Sequence, residues 1–311
     1  MKIVLPPSPI QEIKDSLLDE KDVHLFVKRD DLLHAEISGN KIRKLKYNLL
    51  RAKNDGHHTL LTFGGAYSNH IYAVAAAGEI YGFKTIGVIR GEPYHNLNPT
   101  LTFARSKGMH LHYISRADYK KKYTLETIDV LKNKFGDFYM IPEGGTNPLA
   151  LKGCTEIIDE IDIPFDFITT CCGTGGTLAG IIAGLNGNNH AIGFPVLKGG
   201  GFLRKEIQDH IKKYNDMVYL NWHLMLEYHF GGYAKYSSEL INFINEFKKK
   251  HDILLDPVYT GKMMYGLFNM IYKGEFKGGT GIIAIHTGGL QGIDGFNERF
   301  GNLIEKSLFK K

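Results

Sequence analysis

The stretch FDFITTCCGTGGTLAGIIAGLNG, residues 165–187, decides the fold. A β-rich apolar run (165–172) ends in Gly173-Thr174-Gly175-Gly176-Thr177 and passes directly into the helical pattern TLAGIIAGL. A strand that is apolar along its whole length suits a parallel sheet covered on both faces. The same grammar recurs in HTLLTFGG (58–65) before AYSNHIYAVAAAGEIYG (66–82), in KTIGVIRGE (84–92) and in GTGIIAIHTGG (279–289). Strands alternating with helices in this way specify an α/β fold with open, twisted, mostly parallel sheets flanked by helices. Ligands in such folds bind where C-terminal strand ends meet helix N-termini, and four glycine-bearing loops lie at such ends.

Composition narrows the class. At 311 residues the chain amounts to two domains or one large α/β body, and 43% hydrophobic with 23% charged residues excludes a disordered, collagenous or coiled-coil chain. No apolar run approaches the ~18 residues of a membrane span. The start, MKIVLPPSPIQEIKD, is too short and proline-broken for a signal peptide, so a cytoplasmic protein is expected. Cys154, Cys171 and Cys172, an odd count, read as core thiols in a reducing compartment. The net charge of +5 is spread over runs at Lys28–Lys53, Lys120–Lys122, Lys248–Lys250 and Lys310–Lys311, which read as solvated faces. With one Trp and no basic-aromatic interleaving, no nucleic-acid partner is expected.

The glycine loops differ in content. None fits a nucleotide fingerprint of the GxxxxGK[ST] or GxGxxG type, and no histidine has partners at metal-ligand spacing, so no metal is expected. Gly173 to Thr177 gathers backbone N–H groups and two hydroxyls at the positive end of a helix, which suits one phosphate group, with an ordinary tight strand-to-helix turn as the competing reading. In Ser38-Gly39-Asn40-Lys41-Ile42-Arg43-Lys44-Leu45, the residues Ile42, Leu45, Leu49 and Ala52 form an apolar stripe at helical spacing and Asn40 is placed to cap the helix. Lys41 then sits in the first turn, where the macrodipole and the like charges of Arg43 and Lys44 favour a neutral amine, the form that captures carbonyl compounds. A solvated basic face is the competing reading of that helix. Gly64-Gly65-Ala66-Tyr67-Ser68-Asn69-His70 offers a hydroxyl and an amide at a helix start, for a ligand's carboxylate and phenolic oxygen or as a simple cap. Nothing local decides the roles of Asp256–Lys262 and His286–Gly289.

Six segments in order, FVKRDDLLHAEISGNKIRKLKYNLL (26–50), TFGGAYSNH (62–70), IPEGGTNPLALKGC (141–154), GTGGTLAG (173–180), DPVYTGKMMYGL (256–267) and HTGG (286–289), resemble the 1-aminocyclopropane-1-carboxylate deaminase / D-cysteine desulfhydrase family across nearly the whole chain. The resemblance implies the two-domain tryptophan-synthase-β-like fold, with a large domain over residues 1–47 and 151–311 and a small one, 48–150, inserted in it. It implies pyridoxal 5'-phosphate as cofactor, a small amino acid as substrate and a homodimer. By the same resemblance Lys41 is the lysine that bonds the cofactor and shuttles the α-proton, and Lys44 lies near the phosphate. Asn69 hydrogen-bonds the phenolic oxygen, Ser68 contacts the substrate carboxylate, and Gly173, Thr174, Gly175, Gly176 and Thr177 form the phosphate cup. Tyr259 stands near ring and substrate, and Tyr233 in HFGGYAK is the second tyrosine, although its flanks depart from the family's usual Tyr-Gly pattern.

One further departure separates the family's activities. Ring-opening members follow the DPVY tyrosine with glutamate, whose carboxylate faces the pyridine nitrogen; this chain has Thr260, and Thr287 supplies a hydroxyl. A neutral hydroxyl leaves the ring nitrogen largely unprotonated and the carbanion less delocalised, so a leaving group on Cβ departs. The expectation is a D-cysteine desulfhydrase type of lyase giving pyruvate, sulfide and ammonia. A ring-opening deaminase giving 2-oxobutyrate, and a cofactor- or phosphometabolite-binding protein without turnover, are the rivals.

Overall fold

The computed structural model describes residues 1–93 and 95–306; Lys310–Lys311 of the last basic run lie outside them. Ten strands run along the described chain: β1 (Ile10–Ile13), β2 (Val23–Lys28), β3 (Thr59–Gly64), β4 (Lys84–Arg90), β5 (His110–Ile114), β6 (Tyr139–Ile141), β7 (Phe167–Cys172), β8 (His190–Pro195), β9 (Trp222–Leu224) and β10 (Thr280–Ile285). Helices α1 to α6 are Ser16–Lys21, Asn40–Asn54, Asn69–Tyr81, Pro99–Ser106, Arg116–Lys120 and Leu125–Phe135. Helices α7 to α12 are Pro148–Asp159, Gly176–Leu185, Leu203–Asn215, Ser238–His251, Thr260–Tyr272 and Gly292–Phe300.

The strands form two sheets. The larger runs β1-β2-β10-β7-β8-β9 and the smaller β5-β4-β3-β6. Only β1, which pairs with β2, is antiparallel; the other neighbours are parallel, for example Ile282↔Phe167 between β10 and β7 and Thr59↔Lys84 between β3 and β4. Every residue of β10 is buried, as are all but the first of β7, β8 and β3. These are the continuous apolar runs of the sequence, and burial on both faces is what permits them. All four strands of the smaller sheet lie between His58 and Pro142, while the larger sheet draws on both ends of the chain.

The site is set by how α2, α7 and α8 stack. A Cβ on Gly153 of α7 would lie 1.9 Å from the Arg43 carbonyl oxygen of α2, and one on Gly180 of α8 would lie 2.4 Å from Cys154 Cβ of α7. Only glycine allows these approaches, and they bring the N-terminus of α2 beside that of α8. The stripe Ile42, Leu45, Leu49 and Ala52 is fully buried, as its spacing predicts. The basic side of the helix is not the solvated face that the charge run suggested. Arg43 is fully buried, its Nε and Nη2 on Asp30 at 2.7 and 2.8 Å and its Nη1 and Nη2 on Glu160 at 2.7 Å each. Lys28, also buried, donates to Glu160 at 2.7 Å and to Ser8 Oγ at 2.8 Å. Two carboxylates thus neutralise cations whose partners lie far away in sequence.

Candidate active site

Asn40 does not cap α2. Gly39 occupies that position with φ 66°, and Asn40 sits inside the helix with its amide turned outward to other elements. Its Nδ2 donates to Thr177 Oγ1 at 2.8 Å, its Oδ1 accepts from Lys41 Nζ at 2.8 Å, and its backbone N–H reaches the Thr287 carbonyl at 3.2 Å. Three of the sequence groups therefore meet at one residue. Lys44, one turn on, donates to Thr146 Oγ1 at 2.8 Å, and Thr146 is 2.7 Å from Thr174 Oγ1. Thr146 had no role assigned from sequence. It follows strand β6 in IPEGGTNP and ties the lysine helix to the glycine cup.

The cup itself is the turn from β7 into α8, with Gly175 at φ 75° as the residue before the helix. The first N–H groups of a helix have no partner within it and are free to bind an anion. Gly173 leaves room for Tyr259: a Cβ there would lie 3.3 Å from the tyrosine ring. The ring of Tyr233 stands edge-on to that of Tyr259, with centroids 6.1 Å apart. The Asn69 amide lies against the turn after Thr287, where a Cβ on Gly289 would come 2.7 Å from Asn69 Nδ2. Ser68 caps α3, accepting from the N–H groups of His70 and Ile71 at 3.2 and 3.3 Å. Its hydroxyl hydrogen remains available to a ligand.

Electrostatics sharpen the picture. Burial pushes the Lys41 amine below the ordinary lysine range, while Cys171, Cys154 and Asp256 pull the other way. The neutral amine expected from sequence is thus favoured by desolvation first. Arg43, one of the like charges expected to act on it, is paired with Asp30 and Glu160. Lys44 is brought down to about 7 by burial and by the charge of Lys41. It has a hydroxyl as its hydrogen-bond acceptor and no carboxylate in contact among the described residues. A buried cation facing hydroxyls and a helix N-terminus is a site made for an anion. His70, in van der Waals reach of Gly145, is held neutral by burial and by both lysines. Its Nε2 bonds Thr62 Oγ1 at 2.8 Å.

Thr260 is held by Asp256. Its hydroxyl donates to Asp256 Oδ1 at 2.8 Å and accepts from the Asp256 N–H at 2.9 Å. Asp256 also accepts from the N–H groups of Val258, Tyr259 and Thr260, so its carboxylate is occupied by the turn that leads into α11. Thr287 Oγ1 lies 3.1 Å from Cys171 Sγ. All three cysteines are free and buried, as core thiols should be.

Known proteins resemble this chain along most of its length. A profile of pyridoxal-phosphate dependent enzymes matches residues 6–288. A Pyrococcus horikoshii protein provisionally named 1-aminocyclopropane-1-carboxylate deaminase is 32% identical over 309 residues, covering 96% of this chain and 94% of its own. The mitochondrial bifunctional D-cysteine desulfhydrase/1-aminocyclopropane-1-carboxylate deaminase of Arabidopsis thaliana is 33% identical over 296 residues, 86% of this chain and 73% of its own. A crystal structure described as an ACC deaminase homologue superposes with a TM-score of 0.83 at 31% identity, over 96% of this chain and 94% of that one.

Proposed function

The chain belongs to the pyridoxal-phosphate-dependent enzymes, in the family of 1-aminocyclopropane-1-carboxylate deaminase and D-cysteine desulfhydrase, and on that premise we propose that it is a lyase of the desulfhydrase type acting on a small D-amino acid. With D-cysteine the products are pyruvate, sulfide and ammonia. When bound, pyridoxal phosphate supplies an aldehyde for an amine and a ring that stabilises negative charge at the substrate's α-carbon. The residues present fit it: Lys44, Thr174, Thr177 and the N–H groups of Gly173 to Thr177 would hold the phosphate, Lys41 the aldehyde and Asn69 the phenolic oxygen. The Lys41 amine, whose pKa burial lowers, would bond the aldehyde as a nucleophile and serve as the base toward the substrate's α-proton. The Ser68 hydroxyl and the N–H groups beside it would orient the substrate carboxylate, with Tyr259 and Tyr233 on the side-chain side.

The observation that carries the choice of reaction is the content of position 260. A threonine stands there, satisfied by Asp256, and Asp256 is itself saturated by backbone and hydroxyl donors. Neither residue offers a free carboxylate to keep a ring nitrogen protonated, which favours expulsion of a Cβ substituent over a more delocalised route. Ring opening is the second reading, favoured by the deaminase names of the relatives. Assay of the purified holoenzyme separates them: sulfide and pyruvate from D-cysteine are expected. Release of 2-oxobutyrate from 1-aminocyclopropane-1-carboxylate, with no sulfide from D-cysteine, would reverse the assignment. The proposal includes a large domain of residues 1–47 and 151–311 with 48–150 inserted, supported by the division of strands between the sheets. It also includes a cytoplasmic homodimer, supported by the free buried thiols and by the family resemblance; no helix among the described residues is long and apolar enough to cross a membrane.

A further inference from the structure

Lys262 is a buried lysine for which the reaction described above has no use. It lies in the first turn of α11, is 1% exposed, and forms no ion pair among the described residues. Its Nζ donates to two backbone carbonyls, those of His229 at 2.9 Å and Gly232 at 2.7 Å. Burial lowers the amine to about 8. Taking a lysine out of water for two carbonyls is costly unless the geometry they fix is needed.

The segment it grips is strained. Phe230, Gly231, Gly232 and Ala234 all have positive φ, at 53°, 91°, 122° and 54°. Left-handed backbone costs about 1–2 kcal/mol at a non-glycine residue and persists only where surrounding contacts over-determine it. Within the turn, the Gly232 N–H donates to the His229 carbonyl at 3.0 Å and the Lys235 N–H to the Gly232 carbonyl at 3.1 Å. Lys262 thus bonds the same two oxygens that close the turn. The residue presented by this turn is Tyr233, 44% exposed, its ring edge-on to Tyr259. Tyr259 in turn packs against Gly173 of the cup and immediately precedes the helix that carries Lys262.

We infer that Lys262 is a positioning residue: by clamping the carbonyls of His229 and Gly232 it holds the strained 229–234 turn on α11 and sets the Tyr233 phenol beside Tyr259 at the cleft. This deepens the proposed function and rests on its placing of Tyr233 in the site. The test compares holoenzyme carrying Lys262→Met or Lys262→Arg by amide hydrogen exchange over residues 228–236 and by kcat/KM with D-cysteine, or with 1-aminocyclopropane-1-carboxylate should that be the substrate turned over, each also in a Tyr233→Phe background. Lys262→Met is expected to speed exchange of the turn tenfold or more. It should lower kcat/KM about tenfold in the wild-type background and less than twofold with Tyr233→Phe, and Lys262→Arg should recover part of both. Unchanged exchange, or an equal loss in both backgrounds, overturns the inference. Wild-type kcat/KM for Tyr233→Phe alone would instead overturn the placing of Tyr233, so the two failures are distinguishable. Should Lys262→Met not accumulate as folded holoenzyme, Gly232→Ala perturbs the turn without touching α11. It must give the same Tyr233-dependent loss, and wild-type behaviour from it overturns the clamp.

Discussion

Replacing Lys44 by methionine separates the cost of a buried cation from its use. In the cofactor-free protein Lys44 titrates at about 7 against an ordinary 10.5, with burial as the leading cause. At about 1.4 kcal/mol per unit, the penalty is at most about 5 kcal/mol. The folded pKa lies below the unfolded one, so between about pH 7 and pH 10.5 the unfolded chain holds more protons and stability rises with pH. Below about pH 7 the penalty is complete and flat. Methionine keeps the stem packed and removes the penalty, at the loss of one hydrogen bond to Thr146 worth about 1 kcal/mol. Lys44→Met should therefore stabilise the cofactor-free protein at pH 6 by up to about 4 kcal/mol and destabilise it by about 1 kcal/mol above pH 10.5, so that the two stability profiles cross. Cofactor binding should move the other way. Loss of a charge-assisted bond to phosphate, about 1.5–3 kcal/mol, weakens affinity roughly 10- to 150-fold. Denaturant titrations of the cofactor-free proteins from pH 6 to 11, with cofactor binding followed by absorbance, read both effects. Equal stability changes at pH 6 and pH 10.5 would show that Lys44 is not held below its ordinary pKa, and a Kd unchanged within twofold that it does not bind the phosphate.

Two structural predictions accompany it. A Cβ on Gly39 would lie 1.8 Å from the Thr287 carbonyl oxygen at a residue with φ 66°, so Gly39→Ala should cost about 3 kcal/mol or more and displace Lys41, measured as a lowered unfolding midpoint together with weakened cofactor binding. Glu160→Gln leaves Lys28 and Arg43 short of a carboxylate in a buried network and should destabilise by about 3–5 kcal/mol at pH 7. Burial opposes the ionised form of Glu160, but hydrogen bonds from Arg43 and Lys28 outweigh it and hold its pKa below the ordinary 4.5. Its contribution is therefore present above that value, and the difference between wild type and variant should shrink as pH falls below it.

How much of this was legible in the sequence depended on the range of the interaction. The β7–cup–α8 unit and the buried stripe of α2 could be read because their signals, apolar continuity and helical spacing, are local. The order of the motifs gave the cofactor through a resemblance, which spacing alone could not. Arg43 was misjudged because the carboxylates that bury it lie 13 residues before and 117 residues after it. Asn40 was read as a cap for a similar reason: its partner Thr177 is 137 residues away, and the glycine before it already fixes the entry to the helix. Thr146 and Lys262 acquire their tasks only when β6 and α11 are brought to the cleft, and no local pattern marks either. The cause of the lowered Lys41 pKa was displaced as well, from neighbouring charge to desolvation, because burial is a property of the packed helices α2, α7 and α8.

One amine, at the opening of α2 and bonded through Asn40 to the threonine-flanked cup, is proposed to carry the cofactor. Borohydride reduction of the holoenzyme, followed by proteolysis and mass spectrometry, addresses it directly. The cofactor's mass should be found on the peptide containing SGNK, fragmenting to Lys41, and should disappear in Lys41→Ala. Attachment to Lys44, Lys262 or any other lysine, or full labelling of Lys41→Ala, would contradict the account.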